Sequence, residues 1–115
     1  LTLSGGDSLY SNNLDDVYQL LLKVKNQFPD KTIWLYTGYT WESIQYPIVT
    51  DDFNFERDYM IELRRKIVSL CDVLVDGKYK EELKDITLKF RGSSNQRIID
   101  IQKTLKTNEI VLYDL

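Results

Sequence analysis

The apolar positions of this chain switch between two spacings, and the switching predicts its elements. Leu14, Val17, Leu21, Val24 and Phe28 recur three or four residues apart, the repeat of a helix that buries one stripe and leaves the rest in water. Asn12 or Asn13 is placed to cap this helix, Asp15 and Asp16 suit the positive end of its dipole, and Lys23 and Lys25 lie toward the other end. Pro29-Asp30 breaks it, and the run from Thr32 through Thr37 reads as a strand buried on both faces and ended by Gly38. Trp41 to Tyr46 predicts a short helix, and Pro47 to Asn54 is a polar insertion spotted with aromatic residues that fits neither spacing. A second amphipathic helix follows, with Met60, Leu63, Ile67 and Leu70 on its apolar side and Glu62, Arg64, Arg65 and Lys66 on its wet side. Asp72 to Asp76 is the next strand, closed by Gly77, and Glu109 to Tyr113 reads as a late strand. Leu1-Thr2-Leu3 looks like the end of a strand entering the Ser4-Gly5-Gly6-Asp7 turn, so the natural protein is expected to begin earlier.

Strands that alternate with helices imply right-handed βαβ crossovers and a parallel sheet. The expected class is therefore α/β, with a parallel sheet built from βα repeats, either open or curved into part of a barrel. The length of 115 residues allows one compact core, so the chain is one domain or part of one.

Composition narrows the chemistry more than it enlarges it. The net charge is −3, and the basic residues are scattered among acidic ones, which disfavours binding to a nucleic-acid backbone. No apolar run is long enough to span a bilayer, and nothing resembles a secretion signal, so neither a nucleic acid nor a membrane is expected as a partner and a cytoplasmic location is expected. The chain has no histidine and a single cysteine, Cys71, so Ser-His-Asp and Cys-His catalysis are excluded within it. One thiol also cannot supply the ligands of a zinc ion or an iron-sulfur cluster. Cys71 stands directly before the run Asp72-Val73-Leu74-Val75 and is expected to be a buried structural thiol.

In a parallel α/β sheet, ligands bind where the carboxyl ends of the strands and their loops converge. Three such ends carry polar groups, namely Ser4-Gly5-Gly6-Asp7, Thr37-Gly38-Tyr39 and Asp76-Gly77-Lys78. Glycine lets a ligand approach the backbone, and a neighbouring carboxylate accepts bonds from an ammonium or from ribose hydroxyls. Such a site suits an amino-acid-bearing nucleotide, although each glycine also has the simpler reading of a tight turn. The polar stretch from Phe90 through Asp100 stands apart. Ser93, Ser94 or Asn95 is placed to cap a short helix bearing Ile98, Ile101 and Leu105, while Arg91 and Arg97 suit a carboxylate, a phosphate or a protein partner.

Four segments together resemble the activating proteins of anaerobic ribonucleoside-triphosphate reductase, a family of radical S-adenosylmethionine (SAM) enzymes. They are Leu3-Ser4-Gly5-Gly6-Asp7, the run Ile33 to Thr40, Asp72 to Gly77, and Phe90 to Asp100. The resemblance implies a partial (β/α) barrel, of which this chain is the carboxy-terminal portion. It implies a 4Fe-4S cluster held by a CxxxCxxC loop that would lie before Leu1, so the chain alone is expected to be inactive. It also implies that Gly5, Gly6 and Asp7 hold the methionine amino group of SAM, with Thr37 and Asp76 facing the same ligand. Ser8 departs from the pattern, standing where a proline often follows. In the intact enzyme the resemblance implies reductive cleavage of SAM, with an electron donor such as flavodoxin, and a glycyl radical left on the reductase. Activation of another glycyl-radical enzyme, such as a formate-lyase, and a non-catalytic nucleotide-binding or docking module remain alternatives.

Overall fold

The computed structural model describes residues 1–4, 7–10, 12–50 and 52–115. Four strands form one sheet in the order β1-β2-β3-β4, with β1 at Thr2–Leu3, β2 at Trp34–Tyr36, β3 at Val73–Asp76 and β4 at Arg97–Asp100. The first three run parallel, with Leu3 opposite Leu35 and Leu35 opposite Leu74. Helix α1, Leu14–Gln27, carries the chain from β1 to β2, while α2, Trp41–Gln45, and α3, Phe55–Ser69, carry it from β2 to β3. Helix α4, Ile101–Thr107, follows β4 directly.

The helices form where periodicity places them, and their ends have physical causes. Asn13 stands at the start of α1 but its side chain makes no capping bond. Thr40 and Ser43 cap α2 reciprocally, each side chain bonding the other's backbone N–H. The Asn54 side chain accepts from Arg57 N at 2.9 Å and so starts α3 within the stretch whose sequence fits neither spacing. Asp100 caps α4, and Asn108 ends it in the left-handed conformation that asparagine tolerates.

Two faces of the sheet are covered differently. Leu35, Leu74 and Ile99 point toward a core that also takes Leu14 and Leu21 of α1, Trp41 and Ile44 of α2, Leu63 and Ile67 of α3, and Ile101 of α4. Every helix thus packs on this one face. The opposite face carries Val73, Val75 and Ile98, with Trp34, Tyr36 and Tyr113 half-buried against them. Phe90 also lies on Trp34, at 5.1 Å between ring centroids.

The expected all-parallel sheet is corrected at its last strand. β4 runs antiparallel to β3, pairing Asp76 with Arg97 and Val73 with Asp100. A parallel pairing needs a crossover that returns the chain to the opposite end of the sheet. Between residues 77 and 96 the only helical segment among the described residues is the single turn Glu81–Leu83, so the chain stays at the end it left. The expected helix bearing Ile98, Ile101 and Leu105 forms only in part: Ile101 and Leu105 lie on α4, capped by Asp100 and not by Ser93, Ser94 or Asn95, while Ile98 belongs to β4. Ile98 and Ile99 point to opposite faces of the sheet, which is the two-residue repeat of a strand. The strand expected at Glu109 to Tyr113 is reduced to one bridge between Ile99 and Leu112, because Asp100 N donates to Val111 O and Tyr113 N to Ile98 O without a continuing ladder. Phe28, the last member of the α1 stripe, is 53% exposed, since it lies past the helix end.

Candidate functional site

The carboxyl ends of β1, β2 and β3 meet the start of β4, and the side chains there form two joined clusters. The first joins β1 to β2. Asp7 accepts from Thr37 Oγ1 at 2.9 Å, from Gly38 N at 2.9 Å and from Leu9 N at 3.0 Å. Thr37 is buried and its Oγ1 in turn accepts from Tyr39 N at 3.1 Å. The carboxylate therefore ties two strand ends together as well as presenting charge. Arg64 of α3 braces both loops, donating from Nε to Leu9 O at 2.9 Å while its guanidinium lies 5.0 Å from the centre of the Tyr39 ring.

The second cluster centres on Arg97. Its Nε and Nη2 donate to Asp76 at 3.0 and 2.6 Å, a two-pronged pairing, while Nη1 and Nη2 also reach Glu42. Asp76 is 1% exposed and accepts a further bond from Trp41 N at 2.7 Å, which fastens the first turn of α2 to β3. The hydrogen bond from Arg97 holds the Glu42 carboxyl below the usual carboxylate range, and the Asp76 and Glu42 carboxylates push the Arg97 guanidinium still higher. Glu42 and Arg97 therefore both carry charge at neutral pH.

Gly77 turns the chain away from β3 at φ +97°, a conformation that a side chain would strain. Its N–H donates to Tyr39 O at 2.9 Å and its carbonyl accepts from Gln96 Nε2 at 3.1 Å. Gln96 also accepts from Gly92 N and Ser93 N, and Arg91 Nη1 donates to Gln96 O at 2.6 Å. The polar stretch after Phe90 is thus folded on itself and laid over the end of β3. Two clefts open across this end and share Gly38, Gly77 and Lys78. One, of about 200 Å³, reaches Asp7, Thr37, Tyr79 and Gln96. The other, of about 530 Å³, reaches Thr40, Glu42, Lys80, Asn95 and Arg97. Asn95 donates from Nδ2 to Lys78 O, and its Oδ1 is buried without a partner.

Of the residues singled out from sequence, Asp7 and Thr37 are in direct contact, and Asp76 lies one strand further on, its carboxylate turned to Arg97 and Trp41 N. Gly5 and Gly6 lie outside the described residues. Arg97 does meet a carboxylate, and both carboxylates belong to its own chain, whereas Arg91 meets backbone carbonyls. Sequence reasoning missed Glu42 and Tyr79. The signal available for Glu42 was an acid in the first turn of a helix, which has the ordinary reading of a dipole partner.

Cys71 takes no part in this site. It is fully buried, donates to Ile67 O at 3.3 Å, and burial pushes its thiol up to about 12. Because the neutral form is favoured well above neutral pH, Cys71 is expected to resist iodoacetamide at about pH 8 while folded and to react once urea exposes it. Mass spectrometry of the alkylated protein checks this, and rapid labelling of the folded protein would contradict the burial. Among the described residues no group of three or more His, Cys, Asp or Glu side chains is arranged to hold a metal ion, and no helix is long and apolar enough to cross a membrane.

A family model described as a 4Fe-4S single cluster domain matches residues 1–99. Curated relatives named anaerobic ribonucleoside-triphosphate reductase-activating protein are similar to most of the chain. The one from Vibrio cholerae is 40% identical over 98 residues, covering 85% of this chain and 53% of the relative. That from Escherichia coli K12 is 36% identical over 84% of this chain and 52% of the relative, and that from Enterobacteria phage T4 is 38% identical over 85% and 51%. The chain spans about half the length of the curated relatives it matches. No solved structure gives a significant match.

Proposed function

Because the chain belongs to the 4Fe-4S single cluster domain family, we propose that it is the carboxy-terminal portion of an activating protein for anaerobic ribonucleotide reductase, one that installs a glycyl radical by using SAM. The observation that carries this reading is the similarity, at 36–40% identity over about 85% of the chain, to relatives that bear that name. The one-sided arrangement of helices supports a partial (β/α) barrel of the radical SAM type, since a barrel wall has helices outside and side chains inside.

The residues fit SAM and do not fit the cluster. With one buried cysteine and no histidine, this chain supplies no cluster ligand set, so the cluster belongs to residues outside the 115. For SAM, the strand-end clefts offer a carboxylate at Asp7, the buried hydroxyl of Thr37, and glycine backbone at Gly38 and Gly77. On this reading Gly5, Gly6 and Asp7 hold the α-ammonium. Asp76 contributes by fixing Arg97 and the start of α2 at the rim. When bound, SAM supplies the radical precursor, and the share of the work done by these residues is orientation and exclusion of water. No side chain here has to move a proton, which agrees with the lack of histidine and with a Tyr36 phenol that burial pushes above its ordinary value.

The full-length protein, loaded with iron and sulfide under anaerobic conditions, tests this. Mixed with the reductase, SAM and reduced flavodoxin, it is expected to produce the electron paramagnetic resonance signal of a glycyl radical. A signal on a formate-lyase instead, or on neither protein, would overturn the assignment.

A further inference from the structure

Five large apolar side chains stand in water within ten residues, on the segment that follows α2. Ile48 is 103% exposed, Phe53 85%, Tyr46 and Phe55 73% each, and Val49 50%. Isolated exposed apolar residues are ordinary, but a run of them presented together is not.

The segment is also held in place. Arg57 Nη1 donates to Thr50 Oγ1 at 3.1 Å and Nη2 donates to Asp52 O at 3.0 Å, while the Asn54 side chain fixes the first turn of α3. On its other side Arg65 Nη2 donates to Gln45 O at 2.6 Å. A cleft of about 340 Å³ opens between the segment and α3, with Pro47, Val49 and Ile61 beside Asp58 and Glu62. Arginines on a helix thus hold the loop so that its apolar side chains face outward, and a partner binding there has little ordering cost to meet.

Position and charge point to the occupant. Helix α2 starts at the carboxyl end of the sheet, where Trp41 N is bonded to Asp76 and Thr40 and Glu42 line the larger cleft, so the segment after it stands one five-residue helix away from the strand-end clefts. A macromolecule that places one of its own residues at those clefts comes within reach of this segment. Residues 46–62 carry five carboxylates against one arginine, a net charge of −4, and that arginine is spent on the loop itself. The complementary surface is apolar and edged with Lys or Arg.

We infer that residues 46–50 and 52–54, with the first turn of α3, are the docking surface for the protein substrate, through an apolar recess on that protein rimmed by basic side chains. This rests on the reading above, in which that substrate is the reductase.

The test uses the full-length protein and measures its affinity for the reductase beside its cleavage of SAM with a chemical reductant in the absence of the reductase. The double substitution Ile48→Ser with Phe53→Ser removes only exposed surface, so it is expected to weaken binding roughly 30-fold while leaving reductase-independent cleavage unchanged. Glu56→Lys is expected to weaken binding about 10-fold at low salt, with the difference shrinking as salt rises. Unchanged affinity of the double variant for a reductase that the wild-type protein binds and activates would overturn the docking surface and leave the activase reading standing. Wild-type protein that cleaves SAM yet has no affinity for the reductase would overturn both. A double variant that loses self-association and keeps its affinity for the reductase would assign the patch to a second copy of this chain, and that too would overturn the inference.

Discussion

Asp76→Ala is expected to lower the unfolding free energy of the full-length protein by about 2–4 kcal/mol, which is the loss for breaking a buried charge pair when one partner keeps some access to water. The carboxylate is 1% exposed and accepts three bonds, from Arg97 Nε, Arg97 Nη2 and Trp41 N. Its removal strands the first turn of α2 and half of a guanidinium. Arg97 is 33% exposed and keeps Glu42, so the loss stays below that of a fully enclosed pair. Asp76→Asn retains an acceptor for Trp41 N and is expected to lose less than Asp76→Ala. Urea unfolding of the two variants beside the wild type measures both, and an Asp76→Ala change within about 0.5 kcal/mol of zero would show that the cluster does not hold the rim. Acid acts on the same cluster through Glu42. Its folded-state value is lowered by the hydrogen bond to Arg97, so its contribution is present above the unfolded carboxylate value and is lost as pH falls through the lowered one.

The second large effect concerns the ligand. Asp7→Ala is expected to weaken SAM binding to the full-length protein about 10- to 100-fold, the range of one charge-assisted bond to an ammonium. Asp7 also ties Leu9 N, Thr37 and Gly38 N together, so a loss of affinity could arise from loosened strand ends alone. Thr37→Val separates these roles, because it removes the hydroxyl of the tie and leaves the carboxylate. If Asp7 accepts from the ammonium, Thr37→Val loses only a few-fold in affinity, within one neutral hydrogen bond. Equal losses in the two variants, read by equilibrium dialysis with labelled SAM, would reduce Asp7 to a structural tie, and wild-type affinity in a folded Asp7→Ala protein would remove it from the site.

What could be read along the chain was local. The three- and four-residue spacing marked α1 and α3, and the short apolar runs marked β2 and β3. The position of Cys71 against Val73-Leu74-Val75 marked an inert thiol, and the order of elements gave the parallel part of the sheet. Each of these depends on residues within a few positions of one another, where backbone geometry alone sets which side chains share a face. The likeness of four separated segments to one family carried the rest of the functional reading, while composition served mainly to exclude.

Only the tertiary structure decided the direction of β4. Whether a strand pairs parallel or antiparallel depends on which end of the sheet the preceding connection reaches, and residues 77–96 fold back on β3 through Gln96, Arg91 and Asn95 instead of crossing over. The same is true of the two clusters at the strand ends. Asp7 meets Thr37 across 30 positions, Asp76 meets Arg97 across 21, and Glu42 meets Arg97 across 55. No local repeat encodes such pairs, because a side chain's partner across a sheet is fixed by strand order and register. Sequence by itself therefore determined which elements form and which chemistry is excluded, and packing decided which charged groups are brought together at their ends.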